Sequence, residues 1–204
     1  MYIFALIMNI QILFAKVKAY HSGENSGHDF SHIQRVLNNA LKIGRAYSEA
    51  DQDVVKAAAL LHDVADHKLV APGKTDETLA MMRQWLEEAD AEPAQTEKAM
   101  HICTNLSFST SSTNQPLPIE GQIVQDADRL DALGAIGIAR AFAYGGAHGR
   151  EMYREGSKND TVSHFYDKLL RLKDLMNTRQ GRRMARQRHR FTESFLDEFL
   201  KEYL

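Results

Sequence analysis

A single cysteine, Cys103, occurs in 204 residues. That excludes an intrachain disulfide framework and a Cys-rich zinc module, so a metal ion would need histidine and carboxylate ligands. Proline is scarce too, with four in all. Charge of one sign is not in excess: 25 Lys+Arg stand against 27 Asp+Glu, a formal net charge of -2. Nothing in that balance suggests a nucleic-acid wrapper or an acidic solvating tail. No uncharged apolar run reaches the roughly 20 residues of a membrane span. The apolar stretch Met1–Ala15 is interrupted by Asn9 and Gln11. It lacks a basic n-region and a small-residue cleavage pattern, so it does not read as a signal peptide. It reads as a first helix joining the core, with Met1 or Met8 as the start, in a cytoplasmic protein.

What is present is helical periodicity. Phe30–Tyr47 carries Ile33, Val36, Leu37, Ala40, Leu41 and Ile43 at helical spacing. Asp51–His62 reads as a central, nearly all-apolar helix capped by Asp51. Pro72-Gly73 marks a connector over His67–Lys74. Thr75–Ala89 reads as an amphipathic helix with a Thr75 or Asp76 cap, and Pro93 opens a helix ending near Asn105. Ser107–Pro118 is polar and turn-rich, a candidate flexible loop near a site. Ile119–Phe142 reads as one long helix containing Gly134 and Gly137, which would permit close packing. Tyr144–Asp160 is a Gly- and charge-rich excursion. Val162–Met176 and Gly181–Tyr203 close the chain as helices. The expectation is an all-α fold, a single irregular helical bundle.

The chemistry concentrates at His62-Asp63, at the end of an apolar helix. A half-buried carboxylate beside an imidazole is costly unless a cation compensates it. Neighbours on a helix point about 100° apart, so both reach one ion only near the helix end. The pair alone could equally be a solvated helix terminus. His28-Asp29 and His32 start the preceding helix, and Asp126, Asp128 and Asp131 interrupt an otherwise apolar one. Asp128 and Asp131 share a face; Asp126 points elsewhere. Such a mixed N/O donor set suits Mn, Fe, Ni, Co or Zn.

These residues resemble a known family. GHDFSHIQRV (Gly27–Val36), ALLHDVADHK (Ala59–Lys68), IVQDADRLDALGAIGIAR (Ile123–Arg140), HFYDKLLRLKDLMNT (His164–Thr178) and RMARQRHRFTESFLDEF (Arg183–Phe199), in this order, are similar to the HD-domain metal-dependent phosphohydrolases. The likeness is to the small bacterial HD hydrolases resembling nucleotide phosphatases or pyrophosphohydrolases, and it runs from about Val17 onward. Residues 1–16 read as an apolar helix or start-site extension, the stretch before Met8 being unlike the family, and the resemblance implies 17–204 as the hydrolase domain, with the metal-binding core at about 28–142.

Carried over residue by residue, the resemblance implies metal ligands His32, His62, Asp63 and Asp128, with Asp126 and Asp131 as runners-up. The expected cofactor is a divalent ion, Mn foremost, with Ni, Co, Fe, Zn and Mg also compatible. A ligating histidine needs a partner for its other ring nitrogen, and Asp29 and Asp131 are the candidates. Lys68 fits a phosphate contact, Asp66 a proton-transfer role, and His28 either a substrate contact or a cap residue. Asp66-His67-Lys68 is equally readable as a polar helix exit. His101, Asn105, Arg140, His164 and Lys168 are further substrate-binding candidates, His101 being nearly as readable as a core histidine. Trp85 and Met81-Met82 read as packing.

Arg171–Arg190 carries eight cations against Asp174. Such a field draws small phosphate ligands; a polynucleotide is the less favoured partner, for want of interleaved aromatics. The expected substrate is a nucleotide or related phosphate ester or pyrophosphate, hydrolysed by a monomer or homodimer without membrane contact. The alternative is a non-catalytic nucleic-acid-binding or regulatory helical module.

Overall fold

The computed structural model describes residues 8–22, 29–66, 70–71, 73–106 and 116–204. Among them are nine α-helices, one 3₁₀ segment and no strand, so the fold is all-α. No described helix is long and apolar enough to cross a membrane. The expectations placed on residues 1–7, His28, His67, Lys68, Pro72 and residues 107–115 lie outside the described residues. The chain forms two compact units, Met1–Gln125 and Asp126–Leu204.

In the first unit, α1 (Ile10–Tyr20) buries Leu13 and Val17, and the Asn9 N–H reaches the Ala89 carbonyl at 2.7 Å. α2 (Phe30–Gly44) is capped by Asp29, whose side chain accepts the His32 N–H. α3 (Gln52–Leu61) is the core element. Ala57 through Leu61 are fully buried, and α1, α2 and α5 pack around it. Each fully buried aliphatic side chain there contributes about 1.5–3 kcal/mol. As expected, Asp51 caps α3, accepting from the Asp53 and Val54 N–H groups. α4 (Thr75–Glu88) begins one residue earlier than a Thr75 cap would allow: Lys74 is its N-cap. The Thr78 hydroxyl donates back to the Lys74 carbonyl at 3.0 Å, and Asp76 and Glu77 sit in the first turn, where carboxylates suit the helix dipole. α5 (Pro93–Asn105) has Pro93 at its start and a capping box between Glu92 and Gln95.

The expected single helix over Ile119–Phe142 is two. α6 (Ile119–Asp131) stops, and α7 (Gly134–Ala147) starts three residues later. The Ala132 and Leu133 N–H groups close α6 with short i→i+3 bonds, Leu133 is extended, and Gly134 takes φ +73°. A Cβ on Gly137 would lie 2.2 Å from the Ala132 carbonyl oxygen. The glycines therefore make a sharp corner in the chain.

In the second unit the expected helix over Val162–Met176 also divides. α8 (Thr161–Asp167) is followed by a 3₁₀ segment, Leu169–Leu175, with Lys168 out of helical geometry between them. Leu169 and Leu172 are buried. Their spacing of three matches the 3₁₀ period. α9 (Arg179–Tyr203) packs on α7 and the 3₁₀ segment. Phe142 anchors the aromatic core against Phe165, Phe195 and Phe199.

Candidate metal centre

Burial brings the site about. His62 and Asp63 follow directly on the fully buried run Ala57–Leu61, and are only 7% and 8% exposed. α3 ends at Leu61, and the next residues tighten into i→i+3 turns, Val64 N–H to Leu61 O and Asp66 N–H to Asp63 O. At this helix end the His62 and Asp63 side chains come within reach of one another. His32, in the first turn of α2 and 2% exposed, faces them.

Three donors converge. His32 Nε2 lies 3.3 Å from His62 Nε2 and 3.4 Å from Asp63 Oδ2. His62 Nε2 lies 3.4 Å from Asp63 Oδ1. An ion about 2.1 Å from each ligand would separate them by roughly 3.0 Å at octahedral and 3.4 Å at tetrahedral angles. The observed spacings fall in that range, and all three donors meet as a group that could hold a metal. The tautomer fits as well. His62 Nδ1 donates to the Ala59 carbonyl at 2.9 Å, so a neutral ring presents its Nε2 lone pair to the other two ligands. The donor set therefore fits a divalent cation.

The expected histidine partners, Asp29 and Asp131, make these contacts. Asp29 accepts the backbone N–H of His32 at 2.9 Å, and Asp131 pairs with Arg140 at 2.6 Å. The Ala59 carbonyl serves the other ring nitrogen of His62. The sequence could have suggested it, because a residue at a helix end always has the i−3 carbonyl beneath it. Cys103, on α5, backs the site. Its thiol points at the Ala58 carbonyl, and burial, with the nearby Asp63 carboxylate, pushes its pKa up to about 12. It stays a neutral thiol. The Tyr20 hydroxyl holds the Val64 carbonyl, beside Asp63, at 3.3 Å.

The other candidates take these places. Asp66 is half-buried after the turn, its carbonyl accepting the Val70 N–H. His101 and Asn105 sit one turn apart on α5, the Asn105 amide donating to the His101 carbonyl at 2.8 Å. Asp128 is half-buried and belongs to the second unit. Asp126, fully buried, accepts from the Asn177 N–H and amide and from the Thr178 N–H and hydroxyl. Gly181 has no Cβ where one would lie 2.3 Å from Asp126 Oδ2. The sequence reading missed this network; its trace is the polar pair Asn177-Thr178 directly before α9. In the second unit His164 is half-buried, and burial together with the Lys168 and Arg150 cations holds its pKa below the ordinary imidazole value. Arg150, also missed, stacks over the Tyr144 ring.

Comparison with known proteins agrees with this geometry. The HD domain family matches residues 29–133, which include all three converging donors. The uncharacterized protein YpgQ of Bacillus subtilis (strain 168) is 40% identical over 188 residues, covering 91% of this chain and 89% of that one. The crystal structure of Bacillus subtilis YpgQ in complex with ADP has a TM-score of 0.81 at 36% identity, over 95% of this chain and 94% of that one. An HD-superfamily hydrolase from Bacillus thuringiensis has a TM-score of 0.79 at 41% identity, over 95% and 96%.

Proposed function

This chain belongs to the HD-domain family, and from that premise we propose that it is a divalent-metal-dependent phosphohydrolase acting on a nucleotide or related small phosphate ester or pyrophosphate. The observation that carries the proposal is the convergence of His32, His62 and Asp63 at 3.3–3.4 Å. A nucleotide substrate is supported by the relative of 36% identity whose structure holds ADP.

His32, His62 and Asp63 would hold the ion, with Asp128 as a fourth ligand and manganese as the resident metal. When bound, a divalent ion acidifies a water and polarises a phosphoryl oxygen. The chain's own part is orientation and charge. The Ala59 carbonyl fixes His62 in the tautomer that leaves Nε2 unprotonated. The Asp63 carboxylate turns one oxygen toward each histidine, which sets its plane. Asp66, three residues on, moves a proton to or from the attacking water or leaving oxygen. Lys68 offsets charge on the phosphoryl oxygens, and His28 contacts the substrate. His101, Asn105, Arg140, His164 and Lys168 bind the rest of the substrate. For His164 the support is electrostatic: a site where Lys168 and Arg150 already disfavour another positive charge favours an anion. For Arg140 it is orientation, since Asp131 holds the guanidinium at one nitrogen.

The test couples metal to turnover. The protein is stripped, reloaded with Mn, Ni, Co, Zn or Mg, and assayed on nucleoside mono-, di- and triphosphates for phosphate and pyrophosphate. Metal-dependent release, lost in Asp63→Ala together with bound metal, is the expected result. Absence of stoichiometric metal after reloading, with no turnover, would overturn it.

A further inference from the structure

The arginine-rich stretch at the start of α9 contains two kinds of arginine. Arg182 donates to the Met176 and Asn177 carbonyls at 2.9 and 3.1 Å, and Arg188 donates to the Leu130 carbonyl. These hold the second unit together. Arg179, Arg183, Arg186 and Arg190 are exposed, and Arg183, Arg186 and Arg190 take part in no ion pair among the described residues.

Their spacing of four, three and four is the repeat of a single helical face. At 100° and 1.5 Å per residue, the four fall within an arc of about 60° and extend over about 16 Å. The buried side of α9, Gly181, Ala185, His189, Thr192 and Leu196, points elsewhere. The row ends where carboxylates take over the same face. Glu193 is engaged by His189 Nε2 at 3.1 Å, and Asp197 follows one turn later.

We infer that this row is a docking surface for the phosphate backbone of double-stranded nucleic acid, read without regard to base sequence. Guanidinium groups suit phosphate oxygens because each presents a planar fork of donors. A straight row of charges about 16 Å long exceeds what the converging contacts of one small nucleotide use. It matches a rigid polyanion carrying one charge per roughly 1.7 Å. Single strands are bound on stacking platforms as well as charge. The exposed ring nearest the row, Phe191, is one residue past Arg190 and so turns about 100° away from it. The opposite side of α9 packs on α7 and the 3₁₀ segment. The helix therefore rides on the phosphates rather than entering a groove. A bilayer would want exposed apolar side chains interleaved with the arginines, and none lies within this arc.

The experiment is fluorescence anisotropy of a labelled mixed-sequence 24-base-pair duplex against the full chain, from 25 to 200 mM NaCl. Three to four phosphate contacts give a slope of log affinity against log salt of about -3. Arg183→Gln/Arg186→Gln/Arg190→Gln should weaken binding at least about tenfold and flatten that slope to about -1, with the thermal melt unchanged. Asp197→Asn, which removes the carboxylate ending the row, should tighten binding about twofold; this arm holds even if the triple variant folds poorly. Wild-type affinity in the triple variant, or no effect of Asp197→Asn, would overturn the inference. So would equal binding to anionic phospholipid vesicles or to polyglutamate, the first pointing to a membrane and the second to an acidic protein partner.

Discussion

Asp126 and Asp128 stand two residues apart in α6 with the same side chain, and they differ in burial, Asp126 being buried and Asp128 half-buried. Asp126 is fully buried, and four donors from Asn177 and Thr178 saturate its carboxylate. Its charge is balanced within the second unit, with Arg129 nearby. An asparagine there would turn an amide N–H₂ toward donors. Asp126→Asn should therefore cost about 2–3 kcal/mol, since hydrogen bonds to a charged acceptor are worth about that much. Melting temperature should fall by roughly 5–10 °C, while metal content below the melt stays at the wild-type level. Asp128→Asn, at the proposed fourth ligand, should instead lower metal content and turnover by at least about tenfold. Calorimetry and elemental analysis of the two variants check both. Helical spacing already sets the two on different faces; the partners that hold Asp126, in the Asn177-Thr178 turn some fifty positions away, are visible only in the structure.

At the scale of elements, α3 is organised differently at its two ends. Its start is tied by a polar network. The Asp51 N–H donates to Glu120 at 2.9 Å, Lys98 reaches the same oxygen at 2.9 Å, and the Gln95 amide holds Asp51 at 3.0 Å. Burial works against both charges. The Asp51 N–H and the Lys98 ammonium outweigh it at Glu120, and the Gln95 amide with two backbone N–H groups outweighs it at Asp51, so both carboxyls titrate below their ordinary values. Carboxyls depressed on folding stabilise the fold above their unfolded pKa, near 4, and that contribution is lost as pH falls through the folded values. Melting temperature should therefore drop from about pH 4.5 downward. Glu120→Gln should start lower at pH 7 and fall less steeply over the same range, as melts in matched ionic strength would record. The other end of α3 is tightened into i→i+3 turns, and there the ligands sit. Element existence was legible because apolar spacing reports it: the bounds of α3 and α5 follow the periodicity and the Asp51 and Pro93 signals, as does the start of α2, which stops at Gly44 rather than at the expected Tyr47. The breaks between α6 and α7 and within 162–176 were not. Apolar period continues through both, and what stops the helix is backbone geometry at Leu133-Gly134 and at Lys168.

For the molecule as a whole, metal binding and folding are linked. The converging trio lies wholly within the first unit, and an unfolded chain does not assemble it. Ion at a hundredfold excess over its dissociation constant should add about 2.7 kcal/mol to stability, a rise of roughly 5–10 °C in melting temperature. Chelator should reverse the shift, and Asp63→Ala should show none; scanning calorimetry with manganese and EDTA decides it. The sequence by itself determined the all-α class, because helical period and end signals are local properties. It also determined which side chains could ligate, because one cysteine leaves only histidine and carboxylate. Only the tertiary structure decided which of them meet. His32 and His62 are thirty residues apart, and their approach to 3.3 Å depends on α2 packing against a buried α3. It likewise decided that Asp126 is held by Thr178, a partner set by long-range packing that no spacing along the chain records.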